Sequence, residues 1–337
     1  MNIPEEPLVS VVTPVYNGEN FLTECIESVL RQTYGNYEYI IVNNCSTDRS
    51  LDIALNYSKR DSRVRVHSNS EFVGVIENHN IAFRLISPNS KYCKVVSADD
   101  WLFPECLARM VDVAEANPSA GFVGSYQLSG DSIRWQGFPY PKAVLSGREM
   151  CRRMLFGDNI GLGSPTSLLY RADLVRKSDN FYPNRSPHAD WSACFAHLKD
   201  CDYGFVYQVL SYERIHAATQ SHESARLNGA VVAWLNNILT YGRSYLSEEE
   251  FASIRDECLE NYYRYLASSL LKFRGREFWN YHKNSLEELS YRLSPIRVLE
   301  AGLRRGIGEL MNPEHAVRKV WKYFQPGPTC KHGYRIQ

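Results

Sequence analysis

The sequence predicts an α/β fold: a mostly parallel sheet flanked by helices, followed by a helical appendage. Three observations carry this. Four short β-rich runs alternate with amphipathic stretches over residues 8–97. Those runs are apolar almost throughout, as strands covered on both faces are. After about residue 224 strand signals cease and helical periodicity alone remains.

Residues 8–15 (Leu-Val-Ser-Val-Val-Thr-Pro-Val) form the first strand, stopped by Tyr16-Asn17-Gly18. Phe21, Leu22, Cys25, Ile26, Val29 and Leu30 then recur at helical spacing, which predicts a helix over 19–33 with a buried stripe. Tyr37 to Val42 is the second strand, and 47–59 the second helix, with Ser46 or Thr47 as N-cap. Val64 to His67 and Tyr92 to Ser97 are further strands around a helix over 73–86 that ends near Ser87-Pro88. The order β-α-β-α-β-α-β implies right-handed crossovers and a parallel sheet. Further on, 104–117 reads as a helix, 121–128 as a strand and 129–145 as a loop or hairpin. Residues 157–167 make a loop with three glycines, Pro187 opens a helix to Leu198, and 204–210 is a strand. Helical stretches follow at 226–243, 247–273, 276–292 and 296–322.

The bulk properties exclude several classes. With 337 residues the chain holds one large α/β domain plus an appendage, or two domains. Its 38 basic and 38 acidic residues argue against bulk capture of nucleic acid. Nine scattered cysteines without a C-x-x-C pair read as free thiols in a reducing compartment. Residues 1–8 carry Glu5 and Glu6 and no apolar signal core, and no run has the length of a membrane span, so the expected location is cytoplasmic.

The run Lys94-Val95-Val96-Ser97-Ala98-Asp99-Asp100-Trp101 is the strongest chemical signal: an apolar strand ending on two adjacent carboxylates. Acids at the carboxyl edge of a parallel strand commonly hold a divalent cation against a diphosphate, although such pairs also cap helices or face solvent. Ligands of open α/β sheets lie beyond the carboxyl ends of the strands. Thr13 to Asn17, Asn43 to Ser46 and Ser97 to Asp100 all fall there. Pro14 and Tyr16 offer an apolar wall for a base, and Asn43 an edge hydrogen bond.

At these positions the chain resembles the family 2 glycosyltransferases, inverting enzymes of the GT-A (Rossmann-like) fold. The matching residues spread from about 8 to 222. Pro14-Val15-Tyr16-Asn17 matches a P-x-Y-N strand end, and Asn43-Asn44-Cys45-Ser46-Thr47-Asp48 a D-D-G-S-T-D-like loop. Gly74 to Asn80 matches a G-x-x-x-A-R-N-like helix start, and Ser97-Ala98-Asp99-Asp100 a D-x-D-D signature. The resemblance implies that Thr13, Pro14, Tyr16, Asn43, Asn44, Ser46 and His79 line the nucleotide site together with Asp99 and Asp100. Three departures stand out: Asn43 for an Asp, His79 for an Arg, and Ser97 for the first acid of the signature. Asp99 is then the direct ligand of Mg²⁺ or Mn²⁺, and Asp100 supports it or orients substrate.

Ser186-Pro187-His188-Ala189-Asp190-Trp191 resembles the family's E-D or A-D motif, which makes Asp190 the general-base candidate and His188 its competitor. Arg214-Ile215-His216 resembles an R-x-H element near metal and diphosphate, which adds His216 as a metal ligand or phosphate contact. Gly161 to Ser167 resembles a loop that shapes the acceptor side. The implied layout is a nucleotide-sugar-binding and catalytic domain over 1–224, a helical appendage over 225–325 and a tail over 326–337. The implied partners are a nucleotide-sugar donor and a saccharide acceptor, the latter free or lipid-linked, and the implied setting is surface polysaccharide synthesis. Arg304, Arg305, Arg318, Lys319 and Lys322 near Val317, Val320, Trp321 and Phe324 describe either an interfacial helix at the inner face of a membrane or a helix packed on its own domain. The appendage is also a candidate homodimer surface. Two rival readings remain: a non-catalytic nucleotide- or sugar-binding module, favoured by Ser97 and Asn43, and a nucleotidyltransferase, disfavoured because only Gly18 and no nearby Lys or Arg follow the first strand.

Overall fold

The computed structural model describes residues 6–183, 188–216, 226–270 and 272–311, the last seven of them as helix backbone alone. The chain divides into two compact units, Met1–Ile254 and Arg255–Gln337. The helical segment expected from residue 225 thus belongs to the first unit as far as Ile254. The reason lies in its packing: helix α8 (Gly229–Tyr241) sets Asn237 Oδ1 2.7 Å from the Ser192 hydroxyl of helix α7 (Ala189–His197).

The first unit is built on a sheet in the order β3-β2-β1-β4-β9-β6-β10-β5, with β7 on β6 and β8 on β10. Strands β1 (Val9–Val15), β2 (Tyr37–Asn43), β3 (Val64–Ser68) and β4 (Tyr92–Val95) are parallel. All seven residues of β1 are buried, as its central place requires. Helices α1 (Leu22–Leu30), α2 (Ser50–Ser58) and α3 (Val75–Arg84) make the crossovers. Helix α1 buries Leu22, Cys25, Ile26 and Val29, the expected stripe. The expected cap of α2 differs: Arg49 occupies the N-cap, and Ser46 instead accepts a hydrogen bond from Asn17 N.

Beyond β4 the pairing is mixed. β6 (Ala120–Ser129) and β10 (Asp202–Glu213) run parallel to each other, while β9 (Leu168–Arg171) is antiparallel to both β4 and β6 and sits between them. β5 (Trp101–Leu102), β7 (Ser132–Arg134) and β8 (Val144–Ser146) are short antiparallel additions. Helix α4 (Cys106–Ala116) follows β5, and α5 (Gly147–Leu155) is capped by the Ser146 hydroxyl, which accepts from Glu149 N. A short helix α6 (Ala172–Val175) follows β9.

The second unit carries helix α10 (Arg276–Glu288), helix α11 (Pro295–Met311) and most of α9 (Glu248–Leu270). Tyr262, Tyr263 and Leu266 of the expected stripe are buried, while Leu270 is exposed. His282 is fully buried with Nδ1 2.7 Å from the Tyr262 hydroxyl. The basic and apolar residues singled out between 305 and 324, and the tail from 326, lie outside the residues whose side chains are described. No described helix is long and apolar enough to cross a membrane. The described cysteines are all free, and burial pushes the Cys25 and Cys151 thiols up to about 12, which makes them inert at neutral pH.

Candidate functional site

The strand order reverses between β1 and β4, so the loops after β1, β2 and β4 open on one crevice at the carboxyl edge of the sheet. Hydrogen bonds stitch the first two loops together. Asn17, in the left-handed region at φ 50°, accepts from Thr47 N at 2.8 Å. Asn17 N donates to the Ser46 hydroxyl at 3.0 Å, Gly18 N to Ser50 Oγ at 2.8 Å and Glu19 N to Asp48 Oδ2 at 3.0 Å. Burial pushes the Asp48 carboxyl up, but its hydrogen bonds outweigh this and hold it below the ordinary range.

Much of the expected nucleotide set builds this crevice and is already partnered. Thr13 is fully buried, 2.9 Å from the Tyr39 hydroxyl, so its side chain is not available to a ligand. Asn44 receives Val73 N and Asn69 Nδ2 on Oδ1, both at 3.0 Å, and donates to Val73 O at 2.7 Å. Asn43 accepts from Ser46 N at 3.3 Å. Pro14 is buried, and Tyr16 stands exposed with its ring 4.8 Å from Phe72, itself 60% exposed. Phe72 escaped sequence reasoning; a large aromatic within the polar run Ser70-Glu71-Phe72 was the available signal. His79 lies on α3, bonded to Val75 O at 2.9 Å and stacked on Tyr182, and burial lowers its pKa. Its neutral imidazole does not reproduce an arginine's charge. Asn78 and Asn80, at the ends of the same motif, are buried, and Asn80 brackets the Tyr182 backbone with two 2.9 Å bonds.

The acidic pair divides its tasks. Asp100 is buried; it accepts from Thr166 Oγ1 at 2.6 Å and from Arg214 N at 3.1 Å, and burial and then Asp99 raise its pKa well above the ordinary range. Asp99 is more open, with Oδ2 3.1 Å from His216 Nε2. Arg214 pairs with Glu24, donates to Asp99 O at 3.1 Å and lies between the rings of Phe21 and Trp101. Ser97, at the position of the missing acid, gives its N–H to Thr166 Oγ1 at 3.1 Å. Beneath them the fully buried Lys94 donates to Thr166 O and Leu168 O, and burial depresses its pKa. Sequence reading missed both Lys94 and Thr166.

Asp190 opens α7 in its first turn. Burial, the largest influence, pushes its carboxyl up to about 7; the N–H groups of Trp191 and Asp190 oppose this, and Glu213 adds to it. Glu213 makes a small contribution of the same sign to Asp100. The Trp191 indole donates to Gly163 O at 3.3 Å, and His188 stacks on Trp191 with its pKa lowered by burial. Residues 161–167 therefore touch both centres: Gly163 meets Trp191, and Thr166 holds Asp100. Ser186 and Pro187 of this motif lie outside the described residues.

Asp99 and His216 present a carboxylate oxygen and an imidazole nitrogen to one point, a donor set that fits a hard divalent cation completed by phosphate and water oxygens. Asp100, with both oxygens occupied, supports this pair rather than joining it. Among the described residues no cluster of three or more such ligands occurs.

A mixed sheet that gathers an acid pair, a histidine and a further acid at its carboxyl edge has the architecture of the GT-A glycosyltransferases. The chain belongs to glycosyl transferase family 2, whose family model matches residues 10–178. It is 30% identical over 199 residues to an uncharacterized glycosyltransferase of Haemophilus influenzae, covering 55% of this chain and 58% of that protein. It is 29% identical over 230 residues to the putative glycosyltransferase EpsH of Bacillus subtilis, covering 64% and 63%. The chain thus spans less than two thirds of the length of these relatives. Among solved structures, Staphylococcus aureus TarS 1-349 in complex with UDP-GlcNAc aligns at TM-score 0.61 and 18% identity over 83% of this chain and 80% of that one. The mannosyltransferase PcManGT from Pyrobaculum calidifontis, in complex with GDP-Man and Mn²⁺, aligns at 0.53 and 13% identity over 95% and 85%. At these identities the likeness is one of fold.

Proposed function

We propose that the protein transfers a sugar, with inversion, from a nucleoside diphosphate sugar to a saccharide hydroxyl. The observation that carries this is the linkage of two acidic centres through residues 161–167: Asp99 and Asp100 with His216 on one side, Asp190 on the other.

Tyr16, Phe72 and the backbone after β1 seat the nucleoside; the Ser46 hydroxyl holds that backbone, and the Asn43 and Asn44 side chains hold the adjoining loops after β2 and β3. Asp99 and His216 would hold Mg²⁺ or Mn²⁺, which when bound offsets the charge that grows on the departing diphosphate. Thr166 and the Arg214 backbone keep Asp100 in place behind Asp99. Asp190 accepts the proton of the acceptor hydroxyl. The acceptor oxygen bonds to the anomeric carbon from the face opposite the nucleotide, and the bond from that carbon to the phosphate oxygen breaks. A carboxyl poised near 7 is matched to a base working at neutral pH. The setting that fits is assembly of a surface polysaccharide at the cytoplasmic side of a membrane, on a free or lipid-linked acceptor.

The test is donor binding and hydrolysis across UDP-, GDP- and dTDP-sugars, with and without Mn²⁺, for the wild type, Asp99→Ala and Asp190→Asn. The reading requires metal-dependent binding that is lost in Asp99→Ala, and turnover lost with binding kept in Asp190→Asn. Absence of binding to every donor, with and without metal, refutes it.

A further inference from the structure

We infer that Trp135 is a platform for the acceptor saccharide, set against the same segment, residues 161–164, that Trp191 reaches. This inference rests on the transferase reading above and adds the acceptor subsite to it.

Trp135 follows β7 and carries φ 63°, a conformation that costs a bulky side chain and persists only where the surroundings impose it. Its indole N–H donates to Gln127 Oε1 at 2.9 Å. Its six-membered ring lies against Gly161 so closely that a Cβ there would stand 2.5 Å from Cε3. The neighbouring Gly137, at φ 99°, approaches Asn159 just as tightly, with a Cβ position 1.8 Å from its carbonyl oxygen. One strained backbone and two close approaches to glycine therefore fix one half-buried indole whose remaining surface meets solvent.

The ring is wired to the reaction centre. Gln127 Oε1 also accepts from the Ser164 hydroxyl at 2.9 Å, and Thr166, in the 3-10 turn that Ser164 precedes, holds Asp100. Trp191, beside Asp190, reaches the same segment through Gly163. Gln127 is fully buried, yet its Nε2 has no partner among the described residues; neither has Ser211 Oγ, at the paired register position on β10. Sealed from solvent, these atoms belong to the relay behind the ring rather than to a ligand surface. A pyranose supplies a C–H face for the part of the indole that meets solvent. A merely structural tryptophan accounts for the packing on Gly161, but not for a strained backbone that leaves part of the ring open.

The experiment uses the full chain with Mn²⁺, the donor found by the nucleotide-sugar panel, and p-nitrophenyl glycosides as acceptor probes. Trp135→Ala is expected to raise the KM for the glycoside about tenfold or more, with donor Kd by calorimetry within about twofold of wild type. Trp135→Phe, which keeps an aromatic face, recovers most of the loss. Tyr140→Ala, on an 81% exposed residue of the same segment, changes neither value. A glycoside KM unchanged in Trp135→Ala overturns the inference. So does a parallel loss of donor affinity and acceptor KM, which marks a packing role. Should Trp135→Ala fail to fold, Trp135→Phe against Trp135→Leu decides the same question, because bulk is kept and only the aromatic face differs. A wild type that binds donor but uses no glycoside overturns the platform alone; one that binds no donor removes the transferase reading and the platform with it.

Discussion

In the proposed function, Asp190 concentrates the chemistry of the site in one ionisation. Its carboxyl sits near 7 because burial penalises the charge. A base works only when ionised, so kcat/KM should rise with pH through about 7 and level off above it. Asp190→Asn should lower kcat by about 10²-fold or more while nucleotide binding persists. Stability carries the opposite sign. A carboxyl whose folded pKa is raised contributes stability that is fully present below the ordinary carboxylate range and is lost as pH rises through about 7. Asp190→Asn should therefore melt higher than wild type at pH 8 and by a clearly smaller margin at pH 5; the same margin at both would mean the carboxyl titrates normally. Thr166→Val tests the partner centre. It removes the 2.6 Å bond to Asp100 and leaves a buried carboxyl short of a donor, at a cost of about 1–3 kcal/mol in urea unfolding. The acids were legible because they punctuate strand and helix ends. Lys94 and Thr166 were not: a lysine inside an apolar strand reads as edge decoration, and its partner lies 72 residues away.

Elements show the same division between local and distant information. β1 to β4 and α1 to α3 follow from period and punctuation, since each run has its own stop signal and buries its own stripe. β9 escaped because four residues carry almost no periodic signal, and its place between β4 and β6 is fixed by register with both neighbours. The interlocked segments at 130–163 escaped for a related reason: only a folded partner reveals why a glycine is required. Gly137 and Gly157 make the point measurable. Both have positive φ, at 99° and 89°, but a Cβ at Gly137 meets the Asn159 carbonyl at 1.8 Å while one at Gly157 meets nothing within 4 Å. Gly157→Ala should cost only backbone strain, about 1 kcal/mol. Gly137→Ala should cost appreciably more, because backbone must move. Denaturant midpoints compare the two directly, and equal losses would remove the argument that these segments are locked together.

At the scale of the whole molecule, the proposed chemistry is confined to one of two units. Tyr16, Asp99, Asp190 and His216 all precede Ile254, where the first unit ends, while the second has its own buried set in Tyr262, Leu266, Phe278 and Leu286. A ligand that binds only folded protein raises stability by RT ln(1 + [L]/Kd), about 2.7 kcal/mol at a hundredfold excess over Kd. That gain belongs to the unit whose unfolding destroys the site. A nucleoside diphosphate with Mn²⁺ should therefore move the part of the calorimetric profile that melts Met1–Ile254, and leave heat absorbed by the second unit where it was. Excess chelator should return the shifted part toward its unliganded position, because in the proposed function Asp99 and His216 reach the diphosphate only through the cation. A shift that survives the chelator would place the affinity in the nucleoside contacts at Tyr16 and Phe72 instead. No shift at saturating nucleotide, with or without metal, would deny the crevice a nucleotide at all. The profile thus separates affinity through the cation, affinity through the nucleoside contacts and no affinity at all, outcomes that the fold alone leaves equivalent, since a GT-A sheet carries the same crevice whether or not its edge residues hold a metal.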